Sequence, residues 1–353
     1  MINKSFEKAK EQSKLLEYDL SQNPNKYRVL TGDRPTGNLH LGHYFGSITN
    51  RLKLQNSGIV TYVLIADYQV LTDRDVFNEI SKFTYELTLD YLACGLDPEN
   101  HKTHIFPHSQ IPELNQLTIP FLTLVSSSEL NKNPTVKEEI KASGMHTINA
   151  GMFIYPVHQA ADILFCKSNV VPVGKDQLPH IELTRKIAKR FNTKFNSNIF
   201  PEPVALFTKT PTILGLDGIQ KMSKSRNNSI RIKATADETV KLIKSARTDS
   251  NRHIFYDPEN RPEVSNLLKL ASLCSDENPT AIANIIGDQG SGKLKQITAE
   301  AINTYFEPIR EKRKELEEDR DYVRNILMQG ITKARESAKE TLLEVTEAMN
   351  MKI

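Results

Sequence analysis

The chain has 353 residues, 39% of them hydrophobic and 25% charged, which is too long for one small core and suits two packed domains rather than disorder. Its formal net charge of +3 is too small for a general nucleic-acid sponge; no apolar run of about 18 residues marks a membrane span, and the polar start Met1-Ile-Asn-Lys-Ser-Phe-Glu-Lys carries no readable secretory signal. A cytoplasmic protein without membrane contact is expected, its three distant cysteines, Cys94, Cys166 and Cys274, reduced and packed.

Residues 1–26 read as a polar N-terminal extension that ends near Ser21-Gln-Asn-Pro-Asn25. Tyr27–Thr31 is the first buried-strand candidate, followed by the Gly/Pro turn Gly32–Gly37 and a helical pattern from about Leu39 to Leu54. Ile59–Ile65 is β-branched and apolar, the composition of a parallel strand covered on both faces, and a helix is expected near Val76–Cys94. Thr103–Phe106, Val170–Val173 and Val204–Phe207 are further short strands, separated by helical stretches such as Gln177–Phe191. This alternation predicts an α/β domain with a parallel sheet and a ligand site at the carboxyl ends of its strands. From about Asp237 the pattern turns helical, through Leu267–Leu273, Ala301–Glu318 and Lys333–Met349, with Asp319-Arg-Asp-Tyr322 between the last two. The expected division is an extension at 1–26, an α/β catalytic domain with inserted helices at 27–235, and a helical domain at 236–353. Residues 1–235 carry an excess of six positive charges and 236–353 an excess of three negative ones, so polyanion contacts should be local.

Two segments carry phosphate chemistry. Thr36-Gly37-Asn38-Leu39-His40-Leu41-Gly42-His43-Tyr44 is a strand–turn–helix junction with two histidines three apart on one face of the first helical turn. A helix N-terminus favours anions through its free N–H groups, and imidazoles there suit phosphate. Gly42, lacking a side chain, would let a flat base lie against the backbone. Alone, an H-x-x-H pair is more often a metal-like or incidental pattern. The second segment, Gln220-Lys221-Met222-Ser223-Lys224-Ser225, lies in an acid-free window from Ile219 to Ala236 that also holds Arg226, Arg231 and Lys233. Two lysines so spaced can close on a triphosphate and stabilise the charge that develops on a leaving pyrophosphate.

Together, His40-Leu-Gly-His43 and Lys221-Met-Ser-Lys-Ser225 resemble the two signature motifs of class I aminoacyl-tRNA synthetases, commonly written HIGH and KMSKS. Within that class the chain is similar to the bacterial tryptophanyl group. The similarity runs through Gly32–Gly37, Ala160-Ala-Asp-Ile163, Val171–Gln177 leading into His180-Ile-Glu-Leu-Thr-Arg185, Tyr256-Asp-Pro-Glu-Asn260 and Val264–Leu268, and covers roughly residues 28–350. The resemblance implies a Rossmann-like catalytic domain with a C-terminal α-helical domain. It also implies a two-step reaction: the tryptophan carboxylate attacks the α-phosphate of ATP, giving tryptophanyl-adenylate and pyrophosphate, and the acyl group then moves to the terminal ribose of tRNA(Trp). Mg²⁺ would accompany the ATP, with no protein-bound metal. A homodimer is implied, with the helical domain reading the anticodon and Lys333 and Arg335 as candidate contacts.

The resemblance also distributes roles. His40 and His43 would contact the phosphates, and Lys221 and Lys224 would hold the β- and γ-phosphates on a closing loop with Met222, Ser223 and Ser225. Arg34, Thr36 and Gly42 would complete the ATP site, Gly174 and Asp176 would take the ribose, and Tyr155, Gln159 and Gln177 would meet the amino acid. Asp176 fits equally well as an N-cap of the following helix. Asp162 is the specificity candidate: indole has one polar atom, a donor N–H, so an apolar slot walled by Leu30, Ile163, Val171 and Val173 needs one acceptor at its end. The competing role for Asp162 is an N-cap within Ala160–Phe165. Tyr155, Gln159 and Asp162 also match the Tyr-x-x-x-Gln-x-x-Asp arrangement of tyrosyl-tRNA synthetases, whereas the tryptophan group usually has methionine at Gln159. Tyrosine is therefore the alternative substrate, and Leu30, where the bacterial tyrosine group typically has tyrosine, favours tryptophan. Arg34 replaces the glutamine common in the tryptophan group, which leaves its partner, substrate carboxylate or ATP, open. A paralogue or adenylyltransferase that does not charge tRNA is the remaining alternative.

Overall fold

The computed structural model describes residues 2–73, 77–143, 149–207 and 213–352. Strands β1 (Arg28–Asp33), β2 (Val60–Ile65), β3 (Thr103–Pro107), β4 (Val170–Pro172) and β5 (Val204–Leu206) form one parallel sheet in the order β3-β2-β1-β4-β5. Their positions follow the apolar, β-branched runs closely, because strands covered on both faces must be apolar at successive positions. Strand order reverses at β1, with β2 and β3 on one side and β4 and β5 on the other. The crevice beyond the carboxyl ends of β1 and β4 is where a ligand enters such a sheet.

The N-terminal helix, Ile2–Gln22, buries Leu16 and Leu20, one turn apart, in a cluster with Val29, Val170 and Leu206. The helix expected over 39–54 differs from its pattern. It begins as Leu41–His43, widens into a π turn at Tyr44–Ile48, where the Thr49 N–H bonds the Tyr44 carbonyl, and continues as Thr49–Asn56. Apolar spacing alone does not reveal such an i→i+5 turn, a feature common at functional sites. The helix expected near 76–94 is observed as Ile80–Ala93, while Val76 lies outside the described residues.

The C-terminal part consists of helices Ala236–Ser245, Pro262–Ser275, Pro279–Ile286, Gly290–Glu318 and Arg320–Ala348. Asp319 separates the last two and caps the final helix by accepting the Tyr322 N–H (2.9 Å). That final helix returns to the sheet. Gly330 lies so close to β3 that a Cβ there would sit 2.0 Å from the Ile105 carbonyl oxygen, and Ala334, Ala338 and Val345 share a core with Phe106 and Phe165. Arg335, a candidate RNA contact, gives its guanidinium to Glu113 (2.9 Å), and Lys333 pairs with Glu336 on its own helix. Among the described residues no helix is long and apolar enough to cross a membrane.

Candidate active site

The sequence candidates line a single cleft of about 810 Å³ beyond the ends of β1 and β4. On its walls are Arg34, Thr36, His40, Gly42, His43, Gly174, Asp176, Lys221, Met222, Ser223 and Lys224, together with Leu30, Tyr155, Gln159, Asp162, Ile163, Val171, Val173 and Gln177. The side chain of Ser225 lies outside the described residues.

The two signature segments are bonded to each other. The Leu41 N–H donates to the Ile230 carbonyl (3.0 Å), the Ile232 N–H to the Leu39 carbonyl (3.0 Å), and Lys224 Nζ to the Gly37 carbonyl (2.6 Å). A Cβ on Gly42 would lie 3.0 Å from the His40 ring and 3.3 Å from Met222, closer than most side chains approach, so a side chain there would press on both segments. The lysine loop is held by Asn228, which accepts the Ser223 N–H (2.8 Å) and donates to Asp217 (2.7 Å).

The His40 and His43 rings lie against each other, centroids 3.7 Å apart and tilted by 38°. The His40 backbone N–H donates to His43 Nδ1 (3.2 Å), which leaves His43 Nε2 to carry the ring proton. Burial, reinforced by nearby positive charge, pushes the pKa of His40 down to about 3, and burial pushes that of His43 down to about 4. At neutral pH both imidazoles are therefore uncharged N–H donors, and the cationic side chains on the cleft wall are Arg34, Arg51, Lys221, Lys224 and Arg226.

Several residues at the site received no role from the motifs. Asp33, at the end of β1, accepts from Arg51 Nη1 (2.6 Å) and the Tyr91 hydroxyl (2.7 Å). Burial alone would raise its pKa, but the charge and hydrogen bonds of Arg51 outweigh that and hold the carboxyl well below its usual range. Arg51 also donates to Thr31 Oγ1 (3.0 Å) and the Gly32 carbonyl (3.1 Å), and so fixes the strand end from which the first motif starts. Behind the motif, buried Asp90 accepts the Leu39 N–H (2.9 Å), and Glu86 accepts from Asn38 Nδ2 (2.8 Å) and Lys233 (2.9 Å). Arg313, from helix Gly290–Glu318, reaches both acids, with Nε 2.7 Å from Asp90.

Asp176 is not a helix cap. Its Oδ2 accepts from Gln177 Nε2 (3.0 Å), and no side chain caps Leu178–Lys194. Nor is Asp162 an N-cap, since it lies near the C-terminal end of Ala150–Leu164, fully buried. Asp162 Oδ1 is 3.1 Å from His108 Nδ1, and Oδ2 is 3.8 Å from His158 Nδ1 with no hydrogen-bond partner among the described residues.

Ligand atoms of His108, His158 and Asp162 lie within 4.8 Å of one another, a spacing open to a cation. Hydrogen bonds argue against that use. The Tyr68 N–H donates to His108 Nε2 (2.9 Å), so the ring proton sits on Nδ1, aimed at Asp162; a metal there would displace it and break a charge-assisted bond. The trio fits a hydrogen-bonded carboxylate better than a metal centre.

Residues 22–307 match the family model described as tRNA synthetases class I (W and Y). The tryptophan–tRNA ligase of Clostridium longisporum is 44% identical over 331 residues, covering 92% of this chain and 96% of that protein. The tryptophan–tRNA ligase of Streptococcus mutans is 42% identical over 335 residues, covering 92% and 98%. Among solved structures, tryptophanyl-tRNA synthetase of Campylobacter jejuni, complexed with ADP and tryptophan, superposes with a TM-score of 0.81 at 33% identity, covering 92% of this chain and 99% of that one. A parallel sheet with two bonded signature segments at its switch point, matched over most of its length in sequence and in shape, belongs to the class I tRNA synthetases of the tryptophan and tyrosine group.

Proposed function

We propose that the chain is a tryptophan–tRNA ligase, which activates L-tryptophan with ATP and transfers it to tRNA(Trp). The observation that carries this reading is Asp162, a buried carboxylate on the cleft wall whose Oδ2 lacks a hydrogen-bond partner among the described residues. Indole offers one N–H donor and otherwise seeks apolar contact, which Leu30, Ile163, Val171 and Val173 supply. The names of the bacterial relatives support the same amino acid.

In this reading an oxygen of the tryptophan carboxylate attacks the α-phosphorus in line, and the bond to pyrophosphate breaks. A ribose hydroxyl of the tRNA end then attacks the acyl carbon, and AMP leaves. Positioning and charge stabilisation supply the rate, since no residue need form a covalent bond. His40 and His43 donate neutral N–H bonds to phosphate oxygens, while Lys221 and Lys224 meet the charge that grows on pyrophosphate. Lys224 would exchange its contact with the Gly37 carbonyl for phosphate oxygens as the loop closes. Gly174 and Asp176 take the ribose, Tyr155, Gln159 and Gln177 the ammonium end, and Arg34 the carboxylate or ATP. Mg²⁺ enters with the triphosphate as part of the substrate. A cytoplasmic homodimer, its helical region reading the anticodon, completes the proposal.

ATP–pyrophosphate exchange with tryptophan and tyrosine in parallel tests the reading, and only tryptophan should support it. Tyrosine-dependent exchange would shift the assignment to tyrosine–tRNA ligase, for which the Tyr155, Gln159 and Asp162 spacing is the specific support. The chain contains no tryptophan, so fluorescence from bound substrate indole is read without an indole background. Lys224→Ala should slow adenylate formation about 100-fold, the typical effect of losing one group that stabilises developing charge. Its tryptophan affinity should stay within about twofold, and a large affinity loss would show that the loop does not act on phosphate.

A further inference from the structure

We infer that His108 is a positioning residue for amino-acid selection, fixing one oxygen of Asp162 so that the other is presented to the indole N–H. The inference rests on the tryptophan reading and adds a residue that no motif contains. His108 follows the last residue of β3, Pro107, and is fully buried. Its orientation is fixed from three sides. The Tyr68 N–H, shared with Asp67 Oδ1 (3.1 Å), donates to Nε2 (2.9 Å); the His158 ring stands edge-on to it, centroids 5.1 Å apart at 85°; and Nδ1 meets Asp162 Oδ1 at 3.1 Å.

A carboxylate on a short side chain can turn about its last bond, and in an apolar recess either oxygen can face a ligand. The bond from His108 removes that freedom and compensates part of the cost of keeping the anion away from water. Burial lowers the His108 pKa, but Asp162 and Asp67 more than offset this and raise it. Should the ring gain a second proton, Nδ1 keeps its own, and Nε2, 3.4 Å from Asp67 Oδ1, would donate to that carboxylate instead of accepting the Tyr68 N–H, so the bond to Asp162 survives.

The second histidine leaves Oδ2 available. His158 Nε2 is 3.2 Å from Asn115 Oδ1, an acceptor, so the neutral ring holds its proton there. His158 Nδ1 then faces Asp162 Oδ2 with a lone pair rather than an N–H, at 3.8 Å. Burial keeps the pKa of His158 below its ordinary value, so this neutral form prevails at neutral pH. Oδ2 remains an unfilled acceptor that a ligand N–H can satisfy.

The test compares tryptophan with its benzothiophene analogue, in which sulfur replaces the indole N–H, in pyrophosphate exchange. His108→Phe and His108→Met lack a donor, and His108→Asn keeps one near the Nδ1 position. In both donor-less variants the tryptophan KM should rise about tenfold or more, while the KM values for ATP and for the analogue stay within about twofold, so that discrimination collapses. His108→Asn should recover most of the tryptophan KM. Equal effects on tryptophan and the analogue, or a comparable rise in the ATP KM, would show a purely structural role and overturn the inference, as would unchanged discrimination. If the phenylalanine variant does not fold, the methionine variant decides. A wild type inactive with tryptophan overturns the tryptophan reading and this assignment with it, whereas an active wild type with indifferent variants overturns this assignment alone.

Discussion

In Asp162→Ala, kcat/KM for tryptophan in pyrophosphate exchange should fall roughly 100-fold, because a hydrogen bond to a charged group contributes about 1.5–3 kcal/mol and the His108 N–H is left unpaired as well. The ATP KM should hardly change, since the partners of the carboxylate are His108 and His158 rather than a residue of either signature segment. Asp162→Asn is the sharper test. His108 Nδ1–H will take the amide oxygen, which turns the NH₂ group toward the ligand, and there two donors meet. Asparagine, although isosteric, should therefore be nearly as damaging as alanine. Both changes remove a buried anion, so thermal unfolding should show folded proteins. An asparagine variant within about threefold of wild type would mean that the indole does not approach Oδ2.

The success of the sequence reading has a local cause. Ile59–Ile65 is legible as a strand because seven consecutive residues suit a ribbon buried on both faces. The cleft is legible because most of its walls come from short segments at strand ends, Leu30–His43, Tyr155–Ile163, Val171–Gln177 and Lys221–Lys224, each carrying its own pattern. What escaped depends on distant partners. His108 meets Asp162 across 54 positions, and Arg313 meets Asp90 across 223. A single histidine after a strand, or one arginine among many on a long helix, has no local signature, since only the fold decides whether it faces water or a buried acid. The π turn at Tyr44–Ile48 escaped for a related reason. The same apolar residues would serve a regular helix, and the difference lies in one extra residue per turn. At Asp176 two local readings compete, a ribose contact and a helix cap, and the fold removes the second. The position before a helix suggests a cap, yet the carboxylate bonds Gln177 at the cleft.

Arg313→Met should destabilise the fold by about 3–5 kcal/mol, the cost of removing one partner from a buried ion pair. Asp90 has no exposure and Arg313 very little, so water cannot take over the lost bonds. Burial already raises the Asp90 pKa, with Arg313 as the main opposing influence. Without Arg313 the carboxyl would rise further above its unfolded value. A group raised in this way weakens the fold at pH above its unfolded pKa and ceases to do so once protonated. The deficit relative to wild type should therefore narrow as pH falls toward the unfolded pKa, starting at a higher pH than the loss of a surface pair would, and urea midpoints across that range would measure it. Adding Asp90→Leu to Arg313→Met should restore much of the stability, because an apolar pair can replace a buried ionic one. It should not restore exchange activity. Asp90 also accepts the Leu39 N–H immediately before His40, and Glu86 holds Asn38 beside it, so the apolar pair leaves the first signature turn without its anchor. A double variant that regains both stability and full activity would show that helix Gly290–Glu318 supports the fold here without setting the turn.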